Sequence, residues 1–525
     1  MPELPASGRL QTAWAGHARI GGRPGRRTVP PWATAIQQLL TSARKGASST
    51  NQKMAGLPRE TCRDYSTERR SVLTPWIFRS RHSLPMSRLG ARRLSLIFII
   101  REWGNSMNTI RRKSHCTSAA ILMALSCCLL FMPVRAGASD SVERWNIAMT
   151  DYAAGQPPPG IPPFIEARAF AMAHIAILDA VRVATASTTP ANINAAVAAA
   201  AHDVLIPQFA PFGPNSFESV YQSELAAIPD GPAETRGVAI GKAAAAAMLA
   251  SRADEDIFAA LGAPYTPGTK PGDYQPTPPV GMVVGAGWSK LRTFAVRSSR
   301  QFRAPRPYSS LHSLQYTMDV NEIQLLGKAS DSGRTTDQTA IAFYWYENSS
   351  FAWNRIARKL AGKLSRLQHA RLFAALNAAI SDAYMTSLES KFHYNFWRPL
   401  TAIHAADTDG NPLTIADATW EPAFATPPVP DYPSAHSAAG GAAAEVIDAF
   451  AGRGRSFTHV STTGPISGVP GAETRSFESV QEAANENAYS RMLVGIHFRR
   501  ACTVGLQQGR DIGRFVVEHA AFLQD

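Results

Sequence analysis

Long alanine-rich segments constrain the fold of this chain more than any other feature of its sequence. Two of them, Ala191–Leu205 and Glu234–Ser251, predict closely packed helices, and apolar spacing from about Phe164 to Arg182 predicts another. No strand pattern of comparable length appears after Ser139. We therefore predict an all-α fold, a helical bundle that builds its site from facing side chains.

A proline-rich loop, residues 264–279, divides the predicted helices into two groups. We assign residues 139–263 to an N-terminal helical region and residues 280–525 to a second helical domain that contains the site. The predicted helices of this second domain lie at about Gln338–Tyr346, Phe351–Ala361, Ala370–Ser390, Ser437–Ala451 and Val480–Gln508.

The net charge of the chain is concentrated near its N-terminus. The formal charge is +13, but residues 1–138 contain 22 of the 53 Lys and Arg and only 5 of the 40 Asp and Glu. The other residues therefore hold 31 basic and 35 acidic side chains, which makes the body of the protein mildly acidic. Binding to nucleic acid is not expected from such a distribution.

The segment from Met107 to Ala138 has the three parts of a secretory signal peptide. A basic start precedes a short apolar run, Ala119–Met132, and small residues follow at Ala136-Gly-Ala138. We predict cleavage after Ala138 and export to the periplasm or the medium, with no membrane span in the mature chain. An uncleaved anchor is the alternative. Residues 1–106 are then either an over-extended reading frame or a disordered basic arm.

Cysteine usage agrees with a helical core that has no covalent cross-links. Of the five cysteines in the sequence, cleavage at Ala138 leaves one, Cys502. An exported chain with one cysteine has no internal disulfide, so its packed helices must supply its stability.

Three short blocks in the last third of the chain collect residues that suit an anion. They are Lys391 through Arg398-Pro399, then Pro433-Ser434-Ala435-His436, then Ser490-Arg491 with His497 after five more residues. The blocks supply three cationic side chains, a hydroxyl and two imidazoles, without the carboxylates that a hard metal cation prefers. Such a set suits a tetrahedral oxyanion, because guanidinium groups pair with its oxygens and a helix start offers free N–H groups.

The order and spacing of the blocks resemble the signature that the vanadium-dependent haloperoxidases share with the type 2 phosphatidic acid phosphatase (acid phosphatase) superfamily. Gaps of 33 and 53 residues separate the blocks, and both suit that family. The resemblance extends to Asp409-Gly-Asn-Pro, to Thr426–Tyr432 and, more loosely, to Arg334-Thr-x-x-Gln338-Thr. It implies a helical bundle of the same type, with vanadate as the cofactor and phosphate able to occupy the same site.

The resemblance also implies a role for each residue of the blocks. His497 would be the one protein ligand to the metal, vanadium, or in a phosphatase the nucleophile that accepts the phosphoryl group. His436 would be the general acid–base, which takes a proton from peroxide or protonates a leaving group. The residues that would hold the oxyanion cofactor are Lys391, Arg398, Ser434, Ala435 and Arg491.

The surroundings of His497 depart from the family pattern. Many relatives carry an aspartate four residues after this histidine, where the present chain has Ala501. A backbone carbonyl or Asp511 would then have to orient the imidazole. On one predicted helix, Val480–Gln508, Arg491 and His497 would also point about 120° apart, so we expect a kink or a long reach of the arginine.

Three further positions differ from the family. Ala435 replaces a usual glycine, which requires an ordinary backbone conformation or a strained one. Val429 stands where well-known haloperoxidases have an aromatic residue or histidine beside the oxyanion, and Leu388 where some have tryptophan. These two are candidate halide-pocket positions, so their change implies weak halide oxidation, a different halide or none.

Three functions are compatible with the blocks. The leading hypothesis is a vanadium-dependent haloperoxidase, an oxidoreductase whose partners are hydrogen peroxide, halide and small organic acceptors. The alternative enzyme is a secreted acid phosphatase that acts through a phosphohistidine. The third is a non-catalytic oxyanion-binding protein, against which the retained His436 argues. Association into a homo-oligomer is a further expectation.

Overall fold

The computed structural model describes residues 140–156, 160–278, 283–362 and 364–524. Within these ranges the regular structure is helical apart from one short hairpin, which confirms the predicted all-α class. The predicted signal peptide, its cleavage site and four of the five cysteines lie outside the described residues. The division into an N-terminal region and a second domain stays a prediction.

The first helices of the described chain pack through small side chains. Their bounds are α1 (Ser141–Ala154), α2 (Pro163–Ala186), α3 (Ile193–Phe209), α4 (Phe217–Ala226), α5 (Pro232–Ala250) and α6 (Ile257–Leu261). Helices α3 and α5 approach so closely at Gly241 that a Cβ there would lie 2.2 Å from the carbonyl oxygen of Ala196. Their alanine-rich sequences therefore predicted both the helices and their close packing.

Helix α2 is long and apolar enough to cross a membrane by length and composition, but 78% of its apolar window is buried inside the protein. That degree of burial is typical of a core helix. Helix α2 packs against α3 on one side and against a later helix, α10, on the other.

The later elements include the site. The helices are α7 (Leu314–Leu326), α8 (Thr336–Tyr344), α9 (Ser349–Ala361), α10 (Arg366–Tyr394), α11 (Pro399–His404), α12 (Ala435–Ala451), α13 (Gly464–Ser467), α14 (Val480–Leu493) and α15 (Arg499–His519). Strand β1 (Phe457–Val460) pairs antiparallel with β2 (Thr474–Phe477). This hairpin was not predicted, because four-residue strands are too short to produce a recognisable alternation. Short 3-10 turns lie at Ala210–Phe212, Trp288–Lys290, Ala406–Thr408 and Ala521–Leu523.

Helix α10 is the central element of the site-bearing group, because it contacts α2, α12 and α15. Its N-terminus has a capping box, in which Ser365 and Gln368 each bond the other's backbone N–H. Its C-terminus turns at Asn395, which has a left-handed conformation with φ 50°. Lys391 therefore lies in the last turn of α10.

Helices α12 and α15 pack with their backbones almost in contact. Three glycines spaced four apart on α15 allow this approach: a Cβ at Gly505 would lie 2.4 Å from Ser434 O, and one at Gly509 would lie 1.9 Å from Ala438 O. The third is Gly513, against Ala442. This seam brings the start of α12, with the second block, against the helix that follows the third block.

The single helix predicted at Val480–Gln508 is wrong, because two helices occupy that segment. Helix α14 ends at Leu493, and Gly495 follows with a φ of 81°, which ends a helix readily. A Cβ at Gly495 would lie 2.3 Å from Gly327 O. His497 therefore lies in the link between α14 and α15, which supplies the change of direction that the 120° separation from Arg491 required.

Arg334 holds the start of this link in place. Its Nη1 donates to the carbonyl oxygens of Leu493 (3.0 Å) and Lys328 (2.8 Å), one at the end of α14 and one just after α7. A capping box of Thr335 and Gln338 begins α8 next to it. The segment at Arg334–Gln338, which carried the looser part of the resemblance, is thus a structural support for the site.

Candidate oxyanion site

Lys391 reaches from the end of α10 into the protein interior. Its Nζ donates to the carbonyl oxygens of Pro430 and Asp431, both at 2.8 Å, and the residue is 1% exposed. Burial lowers the pKa of its ammonium group well below the ordinary value, and nearby Arg398 lowers it further. The charged form of Lys391 is therefore costly here unless an anion accompanies it.

Arg398 joins the first block to the third. Its Nε donates to Val429 O at 2.8 Å, and its Nη1 donates to Ile496 O at 2.6 Å. The same Nη1 lies 3.4 Å and 3.3 Å from the two ring nitrogens of His497. The fully buried guanidinium has a lowered pKa because of its desolvation, and Asp431 opposes that shift.

His497 is oriented by a carboxylate that the sequence analysis did not select. Its Nδ1 lies 2.8 Å from Oδ1 of Asp431, and both residues are buried. Because the carboxylate accepts the Nδ1 proton, Nε2 keeps its lone pair. Burial and the neighbouring Arg398 hold the pKa of His497 well below its ordinary value, so the neutral form predominates near neutral pH.

The suggestion that Asp511 orients His497 is wrong, because Asp511 pairs with Gln507 and Arg514 on the exposed side of α15. Ala501 contributes its carbonyl oxygen, which accepts from the backbone N–H of Ser434 at 2.9 Å. Asp431 could have been found in the sequence, since it lies inside the stretch Thr426–Tyr432 that carried part of the resemblance.

The second block forms the start of α12. Ser434 is the N-cap, and its Oγ accepts from the backbone N–H and the hydroxyl of Ser437. Ala435 is the first helical residue and has an ordinary conformation, so its replacement of glycine causes no strain. The N–H groups of Ala435 and His436, which precede Ser437 at the start of α12, have no carbonyl partner within the helix and are available to an anion, as is the hydroxyl proton of Ser434.

His436 has protein partners at both ring nitrogens. Nδ2 of Asn487 lies 2.8 Å from Nε2, and Oγ of Ser349 lies 3.1 Å from Nδ1. An amide that donates to Nε2 leaves the proton on Nδ1, which then donates to Ser349. Burial lowers the pKa of His436 well below its ordinary value, and Arg491 adds to that effect. Neither partner was predicted, although Asn487 lies one helical turn before Arg491.

Arg491 completes the cationic set near the end of α14. It is 6% exposed, and its Nη1 donates to Trp345 O at 3.2 Å. Among the residues that the structure describes, no partner satisfies its Nε, which is buried. Burial lowers its pKa. An orphaned guanidinium N–H next to a helix start and two imidazoles is the kind of group that an oxyanion satisfies.

The charges of the site fit an oxyanion. Lys391 and Arg398 are buried beside one carboxylate, that of Asp431, whose pKa burial raises to about 7, and Arg491 is a third buried cation of the site. Within the described ranges no group of three or more His, Cys, Asp or Glu side chains could hold a metal ion by itself. An anion with two or three charges would compensate the excess of buried cations, and vanadate would find a neutral imidazole nitrogen at His497.

The two candidate halide-pocket positions lie in different surroundings. Leu388, on α10, is 2% exposed, and a Cβ at Gly285 would lie 3.8 Å from its Cδ1. Val429 is 9% exposed, and its carbonyl oxygen is the acceptor for Arg398 Nε. Val429 therefore adjoins the cations directly. The segment Asp409-Gly-Asn411 forms a tight turn, in which Asn411 N–H donates to Asp409 Oδ1 at 2.7 Å.

Comparisons with known proteins agree with this geometry. A family model described as the VCPO second helical-bundle domain matches residues 371–525, which contain all three blocks. The vanadium chloroperoxidase of Curvularia inaequalis is 28% identical over 225 residues. That match covers 32% of this chain and 36% of the relative, so the chain spans just over a third of the length of the curated relative.

Solved structures resemble the protein over a larger part of its length. The first bacterial vanadium-dependent iodoperoxidase to be solved superposes with a TM-score of 0.61 at 26% identity, over 73% of this chain and 96% of that one. A holo-type bacterial vanadium-dependent chloroperoxidase superposes with a TM-score of 0.55 at 17% identity, over 72% and 97%. The second likeness supports the fold alone.

Proposed function

The chain belongs to the superfamily that vanadium-dependent haloperoxidases share with type 2 phosphatidic acid phosphatases, and on that premise we propose that it is a vanadium-dependent haloperoxidase. The observation that carries the proposal is the buried contact of His497 Nδ1 with Asp431 among buried cations, where burial holds the pKa of His497 well below its ordinary value. The resemblance to a bacterial iodoperoxidase supports halide oxidation over phosphate-ester hydrolysis.

The residues of the site have separate roles in this proposal. Lys391, Arg398 and Arg491 hold the oxyanion together with the Ser434 hydroxyl and the N–H of Ala435, while Nε2 of His497 is the metal ligand. Bound vanadate would supply a Lewis acid that activates hydrogen peroxide towards halide without a change in oxidation state. The buried cations exclude water and stabilise negative charge, because preorganised groups in a site of low dielectric act strongly.

His436 would handle the proton of hydrogen peroxide. The contact with the Asn487 amide favours the tautomer whose lone pair is at Nε2, and Asn487 then donates to that nitrogen. Substrate oxygen therefore has to replace the Asn487 amide before the imidazole can accept a proton at Nε2. Its lowered pKa keeps His436 neutral and ready to act as a base at neutral pH.

An acid phosphatase is the second candidate, because the same cations suit phosphate and a neutral His497 suits a nucleophile. The specific observation in its favour is that Leu388 and Val429 are aliphatic at the candidate halide-pocket positions. A non-catalytic oxyanion-binding protein would share the cations but would not need His436.

One experiment separates the candidates. We would free the full-length protein of vanadate and phosphate, then assay it with and without orthovanadate for peroxide-dependent halogenation of a phenol dye and for hydrolysis of p-nitrophenyl phosphate. The proposal expects halogenation that requires vanadate, disappears in His497→Ala and persists in His519→Ala, an exposed histidine at the end of α15. Hydrolysis that vanadate inhibits, without halogenation, would make the protein a phosphatase.

We also propose that the mature chain is exported and that it self-associates. Export follows from the signal-peptide pattern at residues 107–138. N-terminal sequencing of the protein from its native host would test the cleavage site, and a sequence that does not start at Ser139 would contradict it. Light scattering of the purified protein would test association.

A further inference from the structure

Three aromatic side chains form a partly exposed cluster that the site chemistry leaves unused. The rings of Tyr346 and Phe424 lie 4.0 Å apart between centroids at an interplanar angle of 21°, and Phe343 meets Phe424 edge-on at 4.9 Å. Tyr346 is 47% exposed, and every other tyrosine among the described residues is more buried. Since Phe424 covers one face of the Tyr346 ring, the exposed part of the side chain lies on its other face, its edge or its hydroxyl. We call Phe343, Tyr346 and Phe424 the aromatic platform.

The aromatic platform adjoins the oxyanion site through two connections. Tyr346 directly follows Trp345, whose carbonyl oxygen accepts from Arg491 at 3.2 Å. Burial lowers the pKa of Arg491, and the phenol of Tyr346 opposes that shift. On the other side, Phe424 is five residues before Val429, whose carbonyl accepts from Arg398. That length of chain spans at most about 17 Å.

We propose that the aromatic platform binds planar, electron-rich aromatic alcohols, such as phenols and naphthols, as the acceptors of oxidised halogen. The inference rests on the proposed function and assigns the position at which its aromatic acceptors bind. An aromatic ring gains from offset stacking on an open aromatic face, whereas a non-planar aliphatic acceptor gains little. The acceptor is then held close to the oxyanion site, on the side where Arg491 bonds Trp345 O.

The overall reaction balances without another reactant. Hydrogen peroxide oxidises halide, with uptake of one proton, to hypohalous acid and water. An aromatic carbon ortho or para to the hydroxyl then bonds to the halogen, and the proton it loses combines with the released hydroxide as water. The stack therefore has to hold the acceptor and leave those carbons accessible, which a face-on contact does.

Binding can be tested without turnover. We would titrate the full-length protein with 2-naphthol, in the absence of peroxide, by isothermal calorimetry or ligand-observed NMR. A stacked aromatic pair contributes about 0.5–1.5 kcal/mol beyond its area, so Tyr346→Ala and Phe424→Ala should weaken the Kd about 2- to 12-fold. The matched control is Phe258→Ala, since Phe258 is also exposed (49%) and lies by Phe212 in the N-terminal helices. Its Kd should equal that of the wild type.

Turnover provides an independent measurement. The KM for 2-naphthol divided by the KM for dimedone, a non-aromatic acceptor, should rise in Tyr346→Ala and stay constant in Phe258→Ala. An unchanged Kd and KM ratio in Tyr346→Ala would overturn the inference, as would an equal loss in Phe258→Ala. If the wild type halogenates neither acceptor, the proposed function fails, and the Kd for 2-naphthol still decides whether the aromatic platform binds it.

Discussion

Asp431 and His497 are 66 residues apart in the sequence, yet their contact determines which imidazole nitrogen is free. Asp431 has one oxygen on the imidazole, and no partner among the described residues satisfies the other, Oδ2. Burial makes the ionised carboxylate costly, and the guanidinium of Arg398 at 3.8 Å compensates part of that cost. The ionised form of Asp431, and with it the orientation of His497, therefore depends on the buried cations of the site.

Replacement of Asp431 by alanine should change anion preference rather than simply weaken binding. The variant loses the carboxylate that keeps the lone pair of His497 on Nε2. Vanadate needs that lone pair because its metal binds the nitrogen, whereas phosphate is held by the cations. Loss of such a supporting contact typically costs about 10- to 100-fold in metal affinity. The vanadate-to-phosphate ratio of Kd values, measured by calorimetry, should thus rise by about that factor in Asp431→Ala. An equal ratio in Asp511→Ala and Asp431→Ala would contradict the assignment.

Asn487 should tune the titration of His436. The amide occupies Nε2 and helps to exclude water, and burial is the main cause of the lowered pKa. In Asn487→Ala water can reach the ring, so the pKa should rise towards its ordinary value. Because the base is active only when neutral, the acid limb of the pH–rate profile should move to higher pH. NMR titration of the His436 ring proton gives the same pKa without turnover.

The matched control for this pH shift is Asn485→Ala. Asn485 is on the same helix, and its Oδ1 accepts from Arg510 at 2.9 Å instead of facing His436. An identical titration of His436 in both variants would show that the amide of Asn487 does not influence the imidazole.

At the scale of elements, the approach of α12 and α15 positions two of the three blocks. Ser434 caps α12, and Gly505 on α15 has no Cβ that would collide with the Ser434 backbone. The start of α12 can therefore pack directly against α15 and the link before it. The glycine spacing on α15 was visible in the sequence as Gly505, Gly509 and Gly513, but the sequence does not say which helix it faces. Gly495 likewise marks the end of α14 in the sequence. A single helix was predicted there because apolar residues continue at helical spacing across this glycine.

Alanine at position 509 should disrupt this packing. Its Cβ would lie 1.9 Å from the carbonyl oxygen of Ala438, which is backbone and cannot rotate away. Overpacking of this kind costs about 1–3 kcal/mol or more, and it exceeds the gain of about 1 kcal/mol in helix propensity. Gly509→Ala should therefore unfold at a lower urea concentration than Gln507→Ala, an exposed position on the same helix. Equal midpoints would show that the helices can separate without cost.

At the scale of the whole molecule, the excess of buried cations makes the protein depend on its anion. A ligand that binds the folded state at 100 times its Kd adds about 2.7 kcal/mol to the free energy of unfolding. Orthovanadate or phosphate should therefore raise the Tm, whereas potassium chloride at equal ionic strength should not. Arg491→Met should abolish the shift, and Arg297→Met, which changes an exposed arginine, should keep it. A shift that survives in Arg491→Met would place the bound anion elsewhere.

The sequence by itself determined the helical class, the close packing of the alanine-rich helices and the residues of the three blocks. These follow from local information, since helical periodicity and the order of a motif are written in consecutive residues. Tertiary structure alone decided that Asp431 orients His497, that Ser349 and Asn487 hold His436, and that Tyr346 stacks on Phe424. Such contacts join residues 51 to 87 positions apart, and they depend on how the helices pack, which no local pattern encodes.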